Sequence, residues 1–497
     1  MIHPRTLKSL EFDQIIARLV SHCSSEAGSE LAAAKKPYKT RAEAEACSAL
    51  FTDFQVWSGQ QGQYASLAFP DTRGLAELIR AKTGPQGLAP NYSLDLDSFW
   101  GLREMLRLAQ TAFSAIHEAR GQESWPALFA RVSAWEMPVQ LLAALNRCIS
   151  DDGLLKDESS PGLFQVRSEL RGLHQSCIRK VRDFAQQYNM LPYLQDEFMT
   201  LSSDRYVLPL KANFKGRMQG IIHDWSQTGE TCYFEPYFLV SINNRLQELK
   251  REEREEERKV LVYLTGLMAA ELAGVESAQG LLAELDLLSA TAKLAEELEA
   301  ACVAFTDADS GIELLEARHP LLTLSRLAKK DAPPVRPLDI VLRPGERALI
   351  VTGGNAGGKT VCLKTLGLLA AMAMAGLPVP AGRGSHLPWF ERIDAFIGDE
   401  QSLSDDVSTF SAQIDHLARS FRHLNSSGLA LLDEFGAGTD PAEGAALAQA
   451  VHDELLDKGC FVLSATHFPA LKSYALTRQG ARAASMLFDP QTSRPLF

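Results

Sequence analysis

The sequence predicts a multidomain protein: an α-helical core, two long helices that bracket a small β insertion, and a C-terminal α/β domain. Three observations predict it. From residue 6 to about 120, apolar residues recur at helical spacing, and Leu7, Leu10, Ile15, Ile16 and Leu19 suit one face. Between two long charge-laced helical runs, residues 204–235 alternate in strand fashion instead. After about residue 305, short strands and turns lead into an apolar strand, a glycine-rich loop and an almost uncharged helical run.

The bulk numbers fit that division. A chain of 497 residues has room for roughly three or four domain-sized units. At 46% hydrophobic and 23% charged residues it has the composition of an ordinary globular protein with large cores. A net charge of −12 argues against a wholly basic nucleic-acid coat protein, but a local basic patch can act inside an acidic whole. The eight cysteines are scattered with no C-x-x-C pair, which indicates neither a zinc ribbon nor a disulfide framework and suits a reducing compartment. The first residues carry no secretory apolar run, and the apolar stretch at 366–377 is too short to span a bilayer. The expectation is a cytoplasmic protein.

Taken in order, residues 1–159 read as the helical core, with helices near 75–81 and 98–115 and breakers at Gly84-Pro85 and Ala89-Pro90-Asn91. Residues 160–195 read as one long helix bearing Arg167, Arg171, Arg179, Lys180 and Arg182. The β insertion, at 201–238, has strands at 204–217, 220–224 and 231–235 and a turn at Gln227-Thr228-Gly229. A return helix spans about 239–272, and its mixed-sign run 251–259 suits a solvated face or the flank of a helix pair. Further helices run to about Ala301, which places the end of this part at 304 and the α/β domain at 305–497.

The chemistry concentrates in that last domain. Gly353-x-x-x-x-Gly358-Lys359-Thr360 is a complete Walker A spacing, in which Gly353, Gly354, Asn355, Ala356, Gly357 and Gly358 supply backbone N–H groups to a phosphate chain. Lys359 can reach the β- and γ-phosphates, and the Thr360 hydroxyl can ligate Mg²⁺. A strand before the loop and a helix after it aim the amides and a helix N-terminus at the anion. The cofactors expected are therefore ATP and Mg²⁺. The run 429–432 followed by Asp433-Glu434 reads as Walker B, with Asp433 as a Mg²⁺ contact and Glu434 as general base or water-positioner. Residues 460–466 form another buried strand that ends in His467, suited to sensing the γ-phosphate. Together these predict a Mg²⁺-dependent ATP hydrolase.

Several motifs carry a resemblance. Residues 352–360, Ser408-Thr409-Phe410, the run Asp433-Glu-Phe-Gly-Ala-Gly-Thr-Asp440 and Ala465-Thr466-His467 resemble the MutS family of ABC-type ATPases. Within it, Ile397-Gly-Asp-Glu-Gln-Ser402, Asp204-Arg-Tyr-Val-Leu-Pro209 and Phe234-Glu-Pro236 with Asn243-Asn244 resemble the MutS-two subfamily, the branch linked to recombination suppression. The resemblance implies that the helix–β–helix layout is a pair of lever helices carrying a small clamp, followed by an ABC-type P-loop ATPase domain. It implies that Ser408 lies in the signature segment and reaches the γ-phosphate of the other subunit of a homodimer. It places Asp440 in the D-loop, Gln401 or Asp399 in the Q-loop region and His467 in the H-loop. From its own residues alone, Ser408-Thr409 reads as a helix N-cap, a compatible role.

The same resemblance implies two clamp-bearing arms around a nucleic acid. Arg205, Lys211, Lys215 and Arg217, with only Asp204 near in sequence, could bind phosphates without reading bases, or could be an ordinary solvated surface. The partner implied is branched or abnormal double-stranded DNA in recombination suppression; the alternative is a ribosome- or rRNA-binding ATPase that separates collided ribosomes. A transporter-type subunit is argued against by the absence of a Leu-Ser-Gly-Gly-Gln signature. The sequence departs from the family at Gly354, usually proline, and at Ala356, usually larger. It has no Phe-x-Glu mismatch wedge, since Phe234-Glu235-Pro236 is a strand end. The chain stops at Phe497 in a predicted hairpin, whereas the subfamily continues through its ATPase domain to a Smr nuclease domain. The expectation is no Smr-type cutting by this chain, and impaired dimerisation and hydrolysis.

Overall fold

The computed structural model describes residues 2–60, 67–85, 87–118, 121–194, 199–202, 205–213, 219–329, 334–353, 358–397, 409–437, 439–488 and 495–496. The chain divides into two compact units: one of Met1–Phe69, Thr111–Trp135 and Gly280–Phe497, the other of Pro70–Gln110 and Glu136–Gln279.

The first unit is built on a five-stranded sheet in the order Arg392–Phe396, Gly428–Asp433, Phe461–Thr466, Ala348–Thr352, Ala481–Ser485. All four neighbouring pairs are parallel. Its central strands are buried along their length, which is why they read as continuous apolar runs rather than alternating ones. A second sheet pairs Ala304–Thr306, His386–Pro388, Ile312–Ala317 and Leu338–Leu342.

The helix after the glycine-rich loop is Lys359–Met374, starting and ending earlier than the 366–377 reading. It has no polar face because the sheet and the N-terminal helices cover it. Gly367 permits this: a methyl there would lie 2.5 Å from a Leu431 methyl carbon and 2.6 Å from one of Leu10. The N-terminal helices are thus part of the same core as the five-stranded sheet, sharing a cluster that runs from Leu10, Ile15 and Leu19 through Leu363 and Leu366 to Leu463. This differs from the expected linear division, which set residues 1–159 apart from 305–497. The N-terminal helix is also broken in two, Pro4–Ser9 and Phe12–His22, because Glu11 between them adopts a left-handed φ of 58°.

In the second unit, helices Pro161–Gln187 and Tyr237–Ala270 flank a four-stranded antiparallel sheet. Its order is Thr200–Ser202, Arg205–Lys211, Thr231–Pro236, Gly220–Trp225, and the first of these strands was not expected from sequence. The first long helix stops at Gln187 rather than near 195, and a 3-10 turn follows at Leu191–Tyr193. Ser160 caps its start, accepting a hydrogen bond from the Leu163 N–H, with Pro161 at the first helical position. The mixed-sign run resolves as a helix-pair flank: Arg167 Nε lies 2.8 Å from Glu253 and its Nη2 2.7 Å from Glu257. Arg245 answers from the other helix, 2.9 Å from Glu169. Among the described residues, no single helix is long and apolar enough to cross a membrane.

Candidate nucleotide-binding site

Three parallel strands end together. Ladder pairs Asp433↔Ala465 and Thr352↔Thr466 put the C-terminal ends of the Walker A strand, the Walker B strand and the strand before His467 side by side. Open parallel sheets present ligand sites at this edge. Gly353 and Gly358 have φ of 147° and 78°, in the positive range that glycine adopts without steric cost. Gly358 occupies the N-cap of Lys359–Met374 with no side-chain hydrogen bond, leaving the first helical amides for an anion. Gly354, Asn355, Ala356 and Gly357 lie outside the described residues, as do Asp399, Gln401 and Ser408.

Lys359 is 3% exposed, and its ammonium donates to the Gly353 carbonyl at 2.6 Å and lies 3.7 Å from Glu434 Oε1. Glu434 Oε1 also lies 4.0 Å from His467 Nδ1. Glu434 holds a left-handed φ of 47°, a strained position for a residue with a side chain. The Thr360 hydroxyl donates to Asp433 Oδ2 at 2.8 Å. The other carboxylate oxygen, Asp433 Oδ1, is buried with no hydrogen-bond partner among the described residues. Burial pushes the Asp433 carboxyl above its usual range and the Glu434 charge adds to this. The Thr360 hydroxyl and the Lys359 and Lys364 ammonium groups oppose it.

A buried carboxylate oxygen left unpaired beside a hydroxyl is the donor set a hard divalent cation fits, with phosphate and water completing the shell. Among the described residues no group of three or more His, Cys, Asp or Glu forms a separate metal cluster. One consequence is testable. A carboxyl whose pKa is raised in the folded state binds protons more readily there than in the unfolded chain. Its ionised form therefore weakens the fold, and that cost fades as pH falls through the folded pKa. Asp433→Asn is expected to raise the melting temperature of the ligand-free protein at neutral pH and to weaken Mg²⁺-ATP binding by about tenfold or more. Thermal melts with and without Mg²⁺-ATP read both effects.

Asp440 acts as a helix cap: its Oδ1 accepts from the Ala442 and Glu443 N–H groups at 2.9 and 3.3 Å, at the start of Pro441–Asp457. Two of the four basic residues of the small sheet, Arg205 and Lys211, have partners within the second unit. Arg205 is turned inward, with Nε 3.3 Å from the fully buried Glu235 and Nη2 donating to the Asn244 side-chain Oδ1 at 2.9 Å. Lys211 donates to the Pro192 carbonyl at 3.0 Å. Lys215 and Arg217 lie outside the described residues. Reading Arg205 beside only Asp204 missed a partner thirty residues away across the sheet.

That partner anchors a network that sequence reasoning overlooked. Glu235 Oε2 contacts His223, and Glu235 Oε1 accepts from Asn243 at 2.7 Å. Asn243 clasps the backbone of Tyr206 in both directions, at 2.8 and 3.0 Å, and the Tyr206 hydroxyl meets His174 at 2.8 Å. The available signal was a glutamate in the apolar strand 231–236 followed by Asn243-Asn244 on a helix.

Comparison with known proteins agrees with this geometry. Residues 349–494 match MutS domain V. The chain is 47% identical over 496 residues to the Endonuclease MutS2 of Maridesulfovibrio salexigens, covering 100% of this chain and 62% of that protein. It is 48% identical over 497 residues to that of Solidesulfovibrio magneticus, covering 99% and 61%. With the Geobacillus protein of the same name it is 36% identical over 496 residues, covering 100% and 61%. The chain thus spans about three fifths of the length of the curated relatives it matches. With Lys359, the strand-end carboxylates and the closing histidine on one sheet edge, residues 349–494 carry the MutS domain V pattern, and the chain is similar along its whole length to the MutS2 branch of the MutS family.

Proposed function

We propose that this chain is a Mg²⁺-dependent ATPase that drives a DNA-gripping clamp, acting on branched or abnormal DNA to restrain recombination. The observation that carries the ATPase reading is the convergence of Lys359, Thr360, Asp433, Glu434 and His467 on one sheet edge. ATP brings the phosphoanhydride bond and, with Mg²⁺, a partly neutralised phosphate chain. Lys359 binds the terminal phosphates in exchange for the Gly353 carbonyl. Thr360 and Asp433 hold the cation. Glu434 orients water and draws off its proton, with His467 as its neighbour at the γ-phosphate side. In this reading Ser408 completes the site of a second copy, so that nucleotide bridges a homodimer and hydrolysis releases it.

The two long helices and the small sheet between them suit a lever and clamp. The sequence shows no zinc knuckle or other base-reading module, so DNA would be held by shape and phosphate contact rather than by base reading. The matched relatives are named Endonuclease MutS2, and the recombination role rests on the subfamily resemblance of the sequence motifs.

Retention on a four-way junction and on linear duplex of equal length, set against co-sedimentation with ribosomes at the same salt, tests this. A junction affinity about tenfold or more above that for linear duplex is expected. Ribosome association without junction preference would replace the DNA reading with the ribosome-splitting one.

A further inference from the structure

The N-terminal helices end on the nucleotide-binding helix. At the corner between Pro4–Ser9 and Phe12–His22, Leu10 fills the notch left by Gly367, and Glu11 Oε2 accepts from Lys364 Nζ at 2.9 Å. Lys364 lies one helical turn beyond Thr360, and its charge reaches Asp433. Gln14 Nε2 fixes the other Glu11 oxygen at 3.0 Å. The left-handed backbone of Glu11 is held by this double engagement. The facing histidine, His319, is buried and pushed down to about 4 by that burial and by the Lys364 charge. It therefore stays neutral, and Glu11 is the anion that Lys364 meets here.

The far end of Phe12–His22 makes a second ionic contact. Arg18 Nε donates to Glu297 at 2.9 Å, His22 Nε2 meets the same carboxylate at 3.0 Å, and Lys293 Nζ donates to the His22 carbonyl at 3.2 Å. Glu297 and Lys293 belong to the helix Leu272–Leu298, whose portion from Gly280 onward lies in the first unit. One short helix is therefore pinned at both ends: to the helix whose N-terminus faces the phosphates, and to the helix that follows Tyr237–Ala270 in the chain.

We propose that Glu11 is a positioning residue that ties the phosphate-binding helix to Phe12–His22, and that through Glu297 this tie transmits nucleotide occupancy to residues 280–298. The inference rests on the nucleotide-binding reading above, because it needs a ligand at Lys359 and Thr360. A half-exposed ion pair contributes little to global stability, so its removal should uncouple the elements without unfolding them.

Amide hydrogen exchange of the full chain, with and without a non-hydrolysable ATP analogue and Mg²⁺, tests it. In the unmodified protein the ligand should slow exchange in both Lys359–Met374 and 280–298, by about threefold or more. In Glu11→Gln, and independently in Glu297→Gln, the slowing within Lys359–Met374 should remain and that in 280–298 should disappear. Persistence of the 280–298 response in both variants would overturn the proposal, as would its absence from the unmodified protein when Lys359–Met374 does respond. If Lys359–Met374 itself shows no response, the nucleotide-binding reading fails and the coupling falls with it. A merely structural role for Glu11 would raise exchange equally with and without ligand.

Discussion

Glu434→Gln is expected to lower ATP turnover by about two to four orders of magnitude while leaving ATP affinity within about twofold. The amide keeps the volume and the left-handed backbone of the glutamate, so the loop between Asp433 and Phe435 need not move. It cannot take a proton from water, and it removes the negative charge 3.7 Å from the Lys359 ammonium. Losing that charge leaves Lys359 more available to phosphate. Lys359→Ala makes the contrasting case: in the proposed mechanism the buried ammonium is the cation that binds the terminal phosphates, so affinity and turnover should fall together. Equilibrium binding of a fluorescent ATP analogue, paired with single-turnover hydrolysis, separates the two patterns. Native turnover in Glu434→Gln would remove the residue from the chemistry. The second neighbour, His467, is the next suspect in that event, 4.0 Å from the same oxygen.

The motifs of the candidate site were legible because each of them is local. A phosphate cradle needs its glycines, lysine and threonine at fixed spacing, and a strand that ends in Asp433-Glu434 declares itself by an apolar run meeting two acids. What brings Asp433 to Thr360 is the order of strands in the sheet, which spacing along the chain does not give. The composition of the units was not legible. Leu10 in the Gly367 notch is a contact across most of the chain, and Gly367 looks in sequence like one small residue in an apolar helix. The break at Glu11 was hidden for a related reason: glutamate is not a turn former, and the apolar spacing of Leu7, Leu10 and Ile15 runs through it as if the helix were continuous. A tertiary contact to Lys364, beside a local one to Gln14, holds that conformation, and local propensity carries no trace of the first. The partner of Arg205 was hidden in the same way, since charge was judged against sequence neighbours while that carboxylate sits on another strand.

The Glu235 network separates those two views of Arg205 most sharply. Glu235→Ala is expected to destabilise the small sheet by about 3–5 kcal/mol, the usual cost of removing one partner from a buried ion pair. The carboxylate is fully buried and serves Arg205, His223 and Asn243 at once, so its loss leaves the part-exposed guanidinium with Asn244 alone and one buried Asn243 amide donor unpaired. Asn243 in turn holds the Tyr206 backbone, so the strand Arg205–Lys211 and the helix Tyr237–Ala270 should loosen together. Brief proteolysis of the full chain should then cut within 199–236 well before the remainder, and exchange across Arg205–Lys211 should accelerate. Arg205→Ala should produce a smaller version of the same loosening. If Arg205 were a phosphate ligand on a solvated surface, Arg205→Ala would weaken nucleic-acid binding with the sheet intact, and Glu235→Ala, by unpairing a cation, would strengthen it. Opposite signs for the two substitutions on DNA affinity, with unchanged proteolysis, would restore the surface reading. Loosening in both, with Glu235→Ala the more severe, assigns the pair to holding the clamp in shape.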